Sequence, residues 1–342
     1  MAKPVEKLGC MRAEPSVSVI IPAYNMAITL DRCLDSVFSQ EVSNLQVIVV
    51  NDGSTDGTPE VAKHYGDRIL YIEQENQGIG GARNTGLRAA QGDYVAFLDA
   101  DDYWLPGFLC TCADFLQQHS EAIAVSTGQI IKLWGHADRI NPPVLAERAG
   151  RAQLEPYILD HFFDFWADQD HIRTGAAVIR QQIIEQAGYQ RADLSISQDL
   201  EYWGYLATYG KWGFIPAPLW VGAPMEAAKV QGWQQRYQRR RRLCPTVEQW
   251  EARIVPRLHK DDLPGFLRVR SRIAASYTMN KILAGDDVGS RHIIVKHGLY
   301  MPKTFYTRLM ILGHRSGWLG WKSICHLIRV REKVKSYLIG LS

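Results

Sequence analysis

The chain has 342 residues, 46% of them apolar and 22% charged, enough to bury one large core and an additional subdomain and too apolar for extended disorder. A net charge of +3 and a pI near 8.4 exclude the global positive field of a nucleic-acid binder. No apolar run approaches the eighteen or so residues that span a bilayer.

Residues 1–15 hold Glu6 and Glu14 and no apolar segment, so they read as a loose tail rather than a secretion or lipoprotein signal around Cys10. The six cysteines, Cys10, Cys33, Cys110, Cys112, Cys244 and Cys325, lack the pair-of-pairs spacing of a zinc site, and a reduced cytosolic setting suits them. From residue 17 the chain alternates strand and helix. A β-branched run at 17–22 predicts a strand ending at Pro22, followed by a loop with Tyr24 and Asn25. A helix over 28–40 follows, with Leu30, Leu34, Val37 and Phe38 on one face. Residues 45–50 predict a second strand, and Asp52 stands where it opens into a polar, glycine-rich loop. A third strand at 69–72 leads through Gly78, Gly80 and Gly81 into a helix ending about Ala90, and a fourth at 93–98 runs into Asp99, Ala100, Asp101 and Asp102.

The expected fold is α/β, a Rossmann-like mixed central sheet flanked by helices with a mainly helical C-terminal region, divided as tail 1–15, binding and catalytic domain 16–222 and helical region 223–342. In an open α/β sheet ligands sit beyond the carboxyl ends of the strands, so Asn25, Asp52 and the acidic turn can converge there. Three carboxylates within four residues repel one another unless a cation or donors offset them, and a hard divalent ion completed by phosphate oxygens is the natural partner. The bland alternative is an exposed acidic turn with Asp102 as a helix cap. Gly78, Gly80 and Gly81 do not make a dinucleotide fingerprint, because Arg83 occupies the place of its third glycine.

Four motifs, Val19-Ile-Ile-Pro-Ala-Tyr-Asn25, Val50-Asn-Asp-Gly-Ser-Thr-Asp56, Gly81-Ala-Arg-Asn84 and Leu98-Asp-Ala-Asp-Asp102, together resemble the inverting family-2 nucleotide-sugar glycosyltransferases in order and spacing. The resemblance implies an A-type glycosyltransferase fold, a nucleoside-diphosphate sugar donor, and Mn2+ or Mg2+ at Asp101. It places Asp52 on a uracil or thymine edge, Arg83 near the diphosphate and Asp99 on the ribose or donor sugar, with Pro22, Tyr24, Asn25, Gly78, Asn84 and Ala100 lining the donor site. The chemistry of these residue types agrees: a carboxylate accepts from a base N–H, and a guanidinium pairs with phosphate.

Farther along, a helix is expected over 106–119, a strand over 123–134 and a loop over 135–150. Phe162, Phe163, Phe165 and Trp166 read as a core helix in preference to an aromatic wall for an acceptor sugar. Residues 171–180 look like a strand; a similar Thr-Gly-rich segment borders the acceptor side in the family this chain resembles, which makes Thr174 and Gly175 candidates there together with Trp203 and His171, although a lone histidine is more often structural. Ser197 can cap a helix that carries Asp199 in its first turn and Trp203 two-thirds along. This resembles the family's Glu-Asp pair followed by a tryptophan, in which the aspartate is the general base. Gln198 here replaces the acidic neighbour, and the alternative is that Asp199 merely favours a helix start.

The Arg-rich run at 239–242 is ordinarily a solvated helix face, the alternative being contact with phosphates of a lipid carrier or an anionic membrane. Near the end, Leu327, Val330, Val334, Leu338 and Leu341 form an apolar stripe among Arg329, Arg331, Lys333 and Lys335. Such a helix lies on a membrane surface, or docks on its own domain or on a partner.

The reading reached is a metal-dependent inverting transferase moving a sugar from a UDP- or dTDP-sugar to a hydroxyl of a glycan or lipid-linked acceptor, in polysaccharide or glycolipid synthesis. It would be cytoplasmic, with peripheral contact to the inner face of the cell membrane through the basic C-terminal region, and would not bind nucleic acid. Competing readings are a non-catalytic nucleotide-sugar-binding or scaffold protein, and a sugar-phosphate nucleotidyltransferase, whose glycine-rich loop after the first strand is missing from this chain.

Overall fold

The computed structural model describes residues 15–132, 137–141, 155–169, 172–222 and 241–340, with the side chains of 335–340 excepted. In chain order the elements are β1 (Val17–Ala23), α1 (Leu30–Phe38), β2 (Leu45–Asn51), α2 (Thr58–His64), β3 (Leu70–Glu73), α3 (Gly78–Ala89), β4 (Tyr94–Phe97), β5 (Tyr103–Trp104) and α4 (Phe108–Gln118). Then come β6 (Ala122–Ile131), β7 (Arg139–Asn141), β8 (Tyr157–Ile158), α5 (Phe162–Gln169), β9 (Ala177–Arg180), α6 (Gln181–Ala187), α7 (Gln198–Leu206) and β10 (Lys211–Gly222). The described remainder is helical: α8 (Val247–Glu251), α9 (Leu263–Ala284), α10 (Asp287–His297), α11 (Phe305–Arg315) and α12 (Gly317–Gly340).

The chain forms two compact units. The first, drawn from residues 1–160, 171–190 and 209–227, contains one mixed sheet in the order β3-β2-β1-β4-β9-β6-β10-β5, with β7 beside β6 and β8 beside β10. β3, β2, β1 and β4 are parallel, and β9 runs antiparallel to both β4 and β6. β1 and β4 are buried along their whole length, which is why they read as unbroken apolar runs, whereas β3, at the sheet edge, is partly exposed. The expected mixed α/β sheet is therefore the one observed.

Local differences from the expected elements have simple causes. β10 continues through Pro216 and Pro218, which cannot donate to a ladder, and its register against β6 shifts between Ile215 and Pro218 and again before Trp220. Residues 139–141, inside the expected loop, pair with β6 as β7. Thr174–Ala176 is a single 3-10 turn rather than strand, and only Ala177–Arg180 is extended.

The second unit comprises residues 161–170, 191–208 and 228–342. Phe163 and Trp166 of α5, Trp203 of α7, and Trp250 and Phe266 are all buried in it, with Trp250 stacked on Phe266 at a centroid distance of 6.0 Å and Phe163 edge-on to Phe266 at 5.5 Å. These aromatics are core, as the helix reading required. Thr246 and Gln249 form a capping box that starts α8, and Gly285, at φ +87°, ends α9 in the left-handed conformation that glycine adopts without strain.

Helix α3 lies on β1 at a glycine. A Cβ built on Gly86 would stand 2.3 Å from Ile20 Cγ2, closer than carbon atoms pack. Gly86→Val should therefore destabilise the first unit by about 1–3 kcal/mol, read as a lowered melting temperature, and an unchanged transition would show that α3 can lift from the sheet without cost.

Candidate functional site

At the carboxyl ends of β1 and β2 two loops are fastened to each other. Asn25, at φ +56°, accepts from the Thr55 N–H at 2.7 Å, and its own N–H donates to Ser54 Oγ at 3.0 Å. Met26 N–H donates to Thr58 Oγ1 at 2.7 Å and Ala27 N–H to Asp56 Oδ2 at 3.2 Å, while Asp56 Oδ1 accepts from Thr58 N–H at 3.0 Å and Thr58 Oγ1 at 2.5 Å. An asparagine tolerates the left-handed backbone better than other non-glycine residues, which is the local reason for Asn25.

Asp52 is 3% exposed. Its Oδ1 accepts from Gln74 Nε2 at 2.7 Å and from the Gln77 N–H at 2.8 Å, and its carbonyl accepts from Asn76 Nδ2 at 2.9 Å. The carboxylate is thus held by the segment between β3 and α3, and the bonds recorded to it from described residues fall on Oδ1. Gln74, Asn76 and Gln77 were not singled out in the sequence; the polar run before Gly78 was their only signal.

Arg83, on α3, is 1% exposed and donates through Nη2 to Asp99 Oδ1 at 2.6 Å. Its Nε and Nη1 are buried with no partner among the described residues. A guanidinium has five N–H donors in a planar fork, and burying two donor nitrogens without acceptors is costly unless something else supplies them. Asn84, next to it, spends both ends of its carboxamide on the backbone of Gln190, at 2.9 Å each way, and so ties α3 to the segment after α6.

The acidic turn follows β4. Asp102 N–H donates to the Asp99 carbonyl at 2.9 Å, and Arg32 reaches the Asp101 carbonyl from α1 at 2.8 Å while its guanidinium stands 5.1 Å from the Tyr103 ring centre. Burial and the neighbouring Asp99 raise the Asp101 carboxyl to about 6. The thiol of Cys33, buried beneath this turn, is pushed well up as well, by burial first and then by Asp102, Asp101 and Asp99. In both cases burial is the larger cause and the neighbouring carboxylates add to it, partly offset by Arg32. Among the described residues no group of three or more His, Cys, Asp or Glu side chains is arranged to hold a metal by itself.

The strand-end and helix-start residues Pro22, Tyr24, Asn25, Asp52, Gly78, Arg83, Asn84, Asp99, Ala100 and Asp101 all belong to the first unit, where direct bonds join Asn25 to the loop after β2, Asp52 to Gln74 and Gln77, and Arg83 to Asp99. Thr174 and Gly175 belong to it too. Gly175 is in the packing: its carbonyl accepts from Trp104 Nε1 at 2.6 Å, and a Cβ on it would meet Trp220 Nε1 at 2.2 Å. His171 lies outside the described residues. Asp199 and Trp203 belong to the second unit, Asp199 in the first turn of α7 and Trp203 fully buried. The expected Ser197 side-chain cap is not formed; Ser197 instead takes a left-handed backbone, φ +60°, which turns its hydroxyl from the usual capping geometry. Gln198 is buried, and Glu201 is fully buried and held by Arg253 through bonds of 2.5 and 2.7 Å.

Residues 18–184 match the family described as glycosyl transferase family 2. This part of the chain belongs to that family. Glycosyltransferase GlyA of Streptococcus pneumoniae serotype 4 is 42% identical over 118 residues, 34% of this chain and 17% of GlyA, so the matched stretch spans about a sixth of that relative. Among solved structures, S. aureus TarS 1-349 in complex with UDP-GlcNAc aligns over 95% of this chain and 92% of its own, with a TM-score of 0.56 at 14% identity. Mannosyltransferase PcManGT from Pyrobaculum calidifontis, in complex with GDP-Man and Mn2+, aligns over 97% and 91%, with a TM-score of 0.54 at 19% identity. These likenesses establish the A-type glycosyltransferase fold, including a mainly helical C-terminal region.

Asp56 is the pin between the two strand-end loops. Asp56→Ala removes the acceptor of three bonds, and is expected to lower stability by about 1–2 kcal/mol, seen as a lower melting temperature. Wild-type stability in that variant would show that the bonds of Asn25 and the Met26–Thr58 bond hold the loops without Asp56.

Proposed function

We propose that the chain is a metal-dependent inverting glycosyltransferase that moves a sugar from a UDP- or dTDP-sugar to the hydroxyl of a glycan or lipid-linked acceptor, in polysaccharide or glycolipid synthesis. The observation that carries the proposal is the buried Arg83 guanidinium, with Nε and Nη1 lacking acceptors among the described residues, beside the acidic turn at the strand ends. A diphosphate supplies acceptors to such donors and brings the oxygens that a metal ion at Asp101 requires. That TarS was solved with UDP-GlcNAc, and PcManGT with GDP-Man and Mn2+, supports a nucleotide-sugar donor and a divalent ion.

In this reading Asp52 accepts an N–H from the pyrimidine edge, held in place by Gln74 and Gln77, while Arg83 pairs with the diphosphate and Asp99 orients both Arg83 and the sugar or ribose. Asp101 is the protein's ligand to Mn2+ or Mg2+, with Asp99 and Asp102 in support. The ion, when bound, supplies positive charge that offsets charge on the departing nucleoside diphosphate. Asp199 accepts the proton of the acceptor hydroxyl as that oxygen bonds to the anomeric carbon and the bond from that carbon to the diphosphate breaks. Its role rests on the resemblance around Asp199 and Trp203, and the retained carboxylate distinguishes this reading from a protein that binds donors without transferring sugar. Glu201 is unsuited to the part, because Arg253 already engages both of its oxygens.

Two substitutions test the assignment. Asp101→Asn keeps the shape of the turn, and should remove the gain in donor affinity that Mn2+ brings while leaving metal-free affinity nearly intact; calorimetric titrations with and without the ion read this directly, and undiminished metal stimulation rejects Asp101 as ligand. Asp199→Asn should lower turnover by roughly 10²–10⁴, with donor affinity and melting temperature close to wild type. Sugar transfer at the normal rate would remove Asp199 from the chemistry, leaving a helix-start effect of about 0.3–1 kcal/mol on stability as its whole contribution.

A further inference from the structure

The helix α12 is apolar on two faces. Trp321, Cys325 and Ile328 are 0 to 1% exposed and form the face docked in its own unit. Leu319, Ser323, Leu327, Val330 and Val334, spaced by three or four residues, line another face, since such positions share one side of a helix. On it Leu319 is 79% exposed, Leu327 54%, Val330 44% and Val334 52%. The stripe seen in the sequence is therefore not the one that docks. By helical geometry Lys322, His326 and Lys333, all exposed, run along one flank of it and Arg331 along the other.

The preceding helix repeats the pattern. In α11, Phe305, Arg308, Leu312 and Arg315 fall on one face and are all exposed. Between residues 298 and 340 there are eight Lys or Arg and a single acid, Glu332, a local charge of +7 in a chain whose total is +3. No helix among the described residues is long and apolar enough to cross a membrane.

The geometry points to this helical hairpin as a docking surface for an anionic lipid bilayer, with the Leu319, Leu327, Val330 and Val334 stripe seated at the level of the acyl boundary and the lysines and arginines at the headgroups. An apolar stripe between cationic flanks is the composition of a helix that lies in the interface plane. Each cation near an anionic surface adds to binding, and the sum is sensitive to salt. A second copy of the chain fits less well, because the same face would oppose its own positive charge. This inference stands apart from the donor site and does not depend on the transfer reaction.

The test is cosedimentation of the full chain with vesicles of phosphatidylcholine alone and of phosphatidylcholine mixed with phosphatidylglycerol. The wild type should pellet with the mixed vesicles, and release at high salt. Replacing both Leu327→Glu and Val330→Glu, at exposed positions, should cut the partition coefficient on the order of 10²-fold. A second variant, Lys322→Glu with Lys333→Glu, reverses two exposed charges without touching the apolar stripe and should lose the preference for phosphatidylglycerol even if the first variant folds poorly. Absence of wild-type binding to the mixed vesicles, or unchanged binding in the charge variant, overturns the proposal. So does a dimer in light scattering that Leu327→Glu and Val330→Glu dissociate while vesicle binding persists, since the stripe would then be filled by a second copy.

Discussion

A buried cationic fork paired with one carboxylate of an acidic turn sets the terms for the first unit. Arg83 pairs with Asp99 and leaves two nitrogens without acceptors among the described residues, while Asp101 and Cys33 are both pushed toward their neutral forms by burial and by the surrounding acids. Neither feature would persist as a purely structural device, because an apolar or fully paired arrangement would cost less. A metal-bound diphosphate, the ligand proposed for this place, would offer acceptors to the one and positive charge to the other. The fold serves that place: three parallel strands end at it, α3 rests on β1 through Gly86 to aim Arg83, and the loops after β1 and β2 are fastened by Asn25 and Asp56.

Much of this was legible in the sequence, for physical reasons that differ by residue. β1, β2 and β4 are buried and short, so their β-branched runs marked them to within a residue or two. The acidic turn and Asp52 stood out because charge clusters rarely follow an apolar strand without cause. What the sequence did not show depends on distant partners. Nothing near Asn84 reveals that its carboxamide is taken by Gln190, 106 residues away, and nothing near Asp52 names Gln74 and Gln77 as its holders. Residues 174–176 look extended because they run into the strand at Ala177–Arg180, yet they form a turn against Trp104 and Trp220.

The helical unit shows the same limit in another form. A stripe of Leu327, Val330 and Val334 is visible in any helical projection, but the projection cannot say whether it is the inner face. Trp321, Cys325 and Ile328 fill that role, and a tryptophan whose Nε1 donates to the Asp287 carbonyl at 2.8 Å fixes the rotation of α12. Once that rotation is set, the remaining apolar stripe faces outward together with the basic residues.

The central claim is that Arg83 and the acidic turn form one site for a metal-bound diphosphate. Calorimetric titration of uridine diphosphate into the full chain, with Mn2+ present and then with it chelated, addresses both halves at once. Saturable binding that depends on the ion and is lost in Arg83→Met, in protein that still melts cooperatively, is the result this account predicts. Binding of equal affinity in wild type and Arg83→Met, with or without the ion, would contradict it.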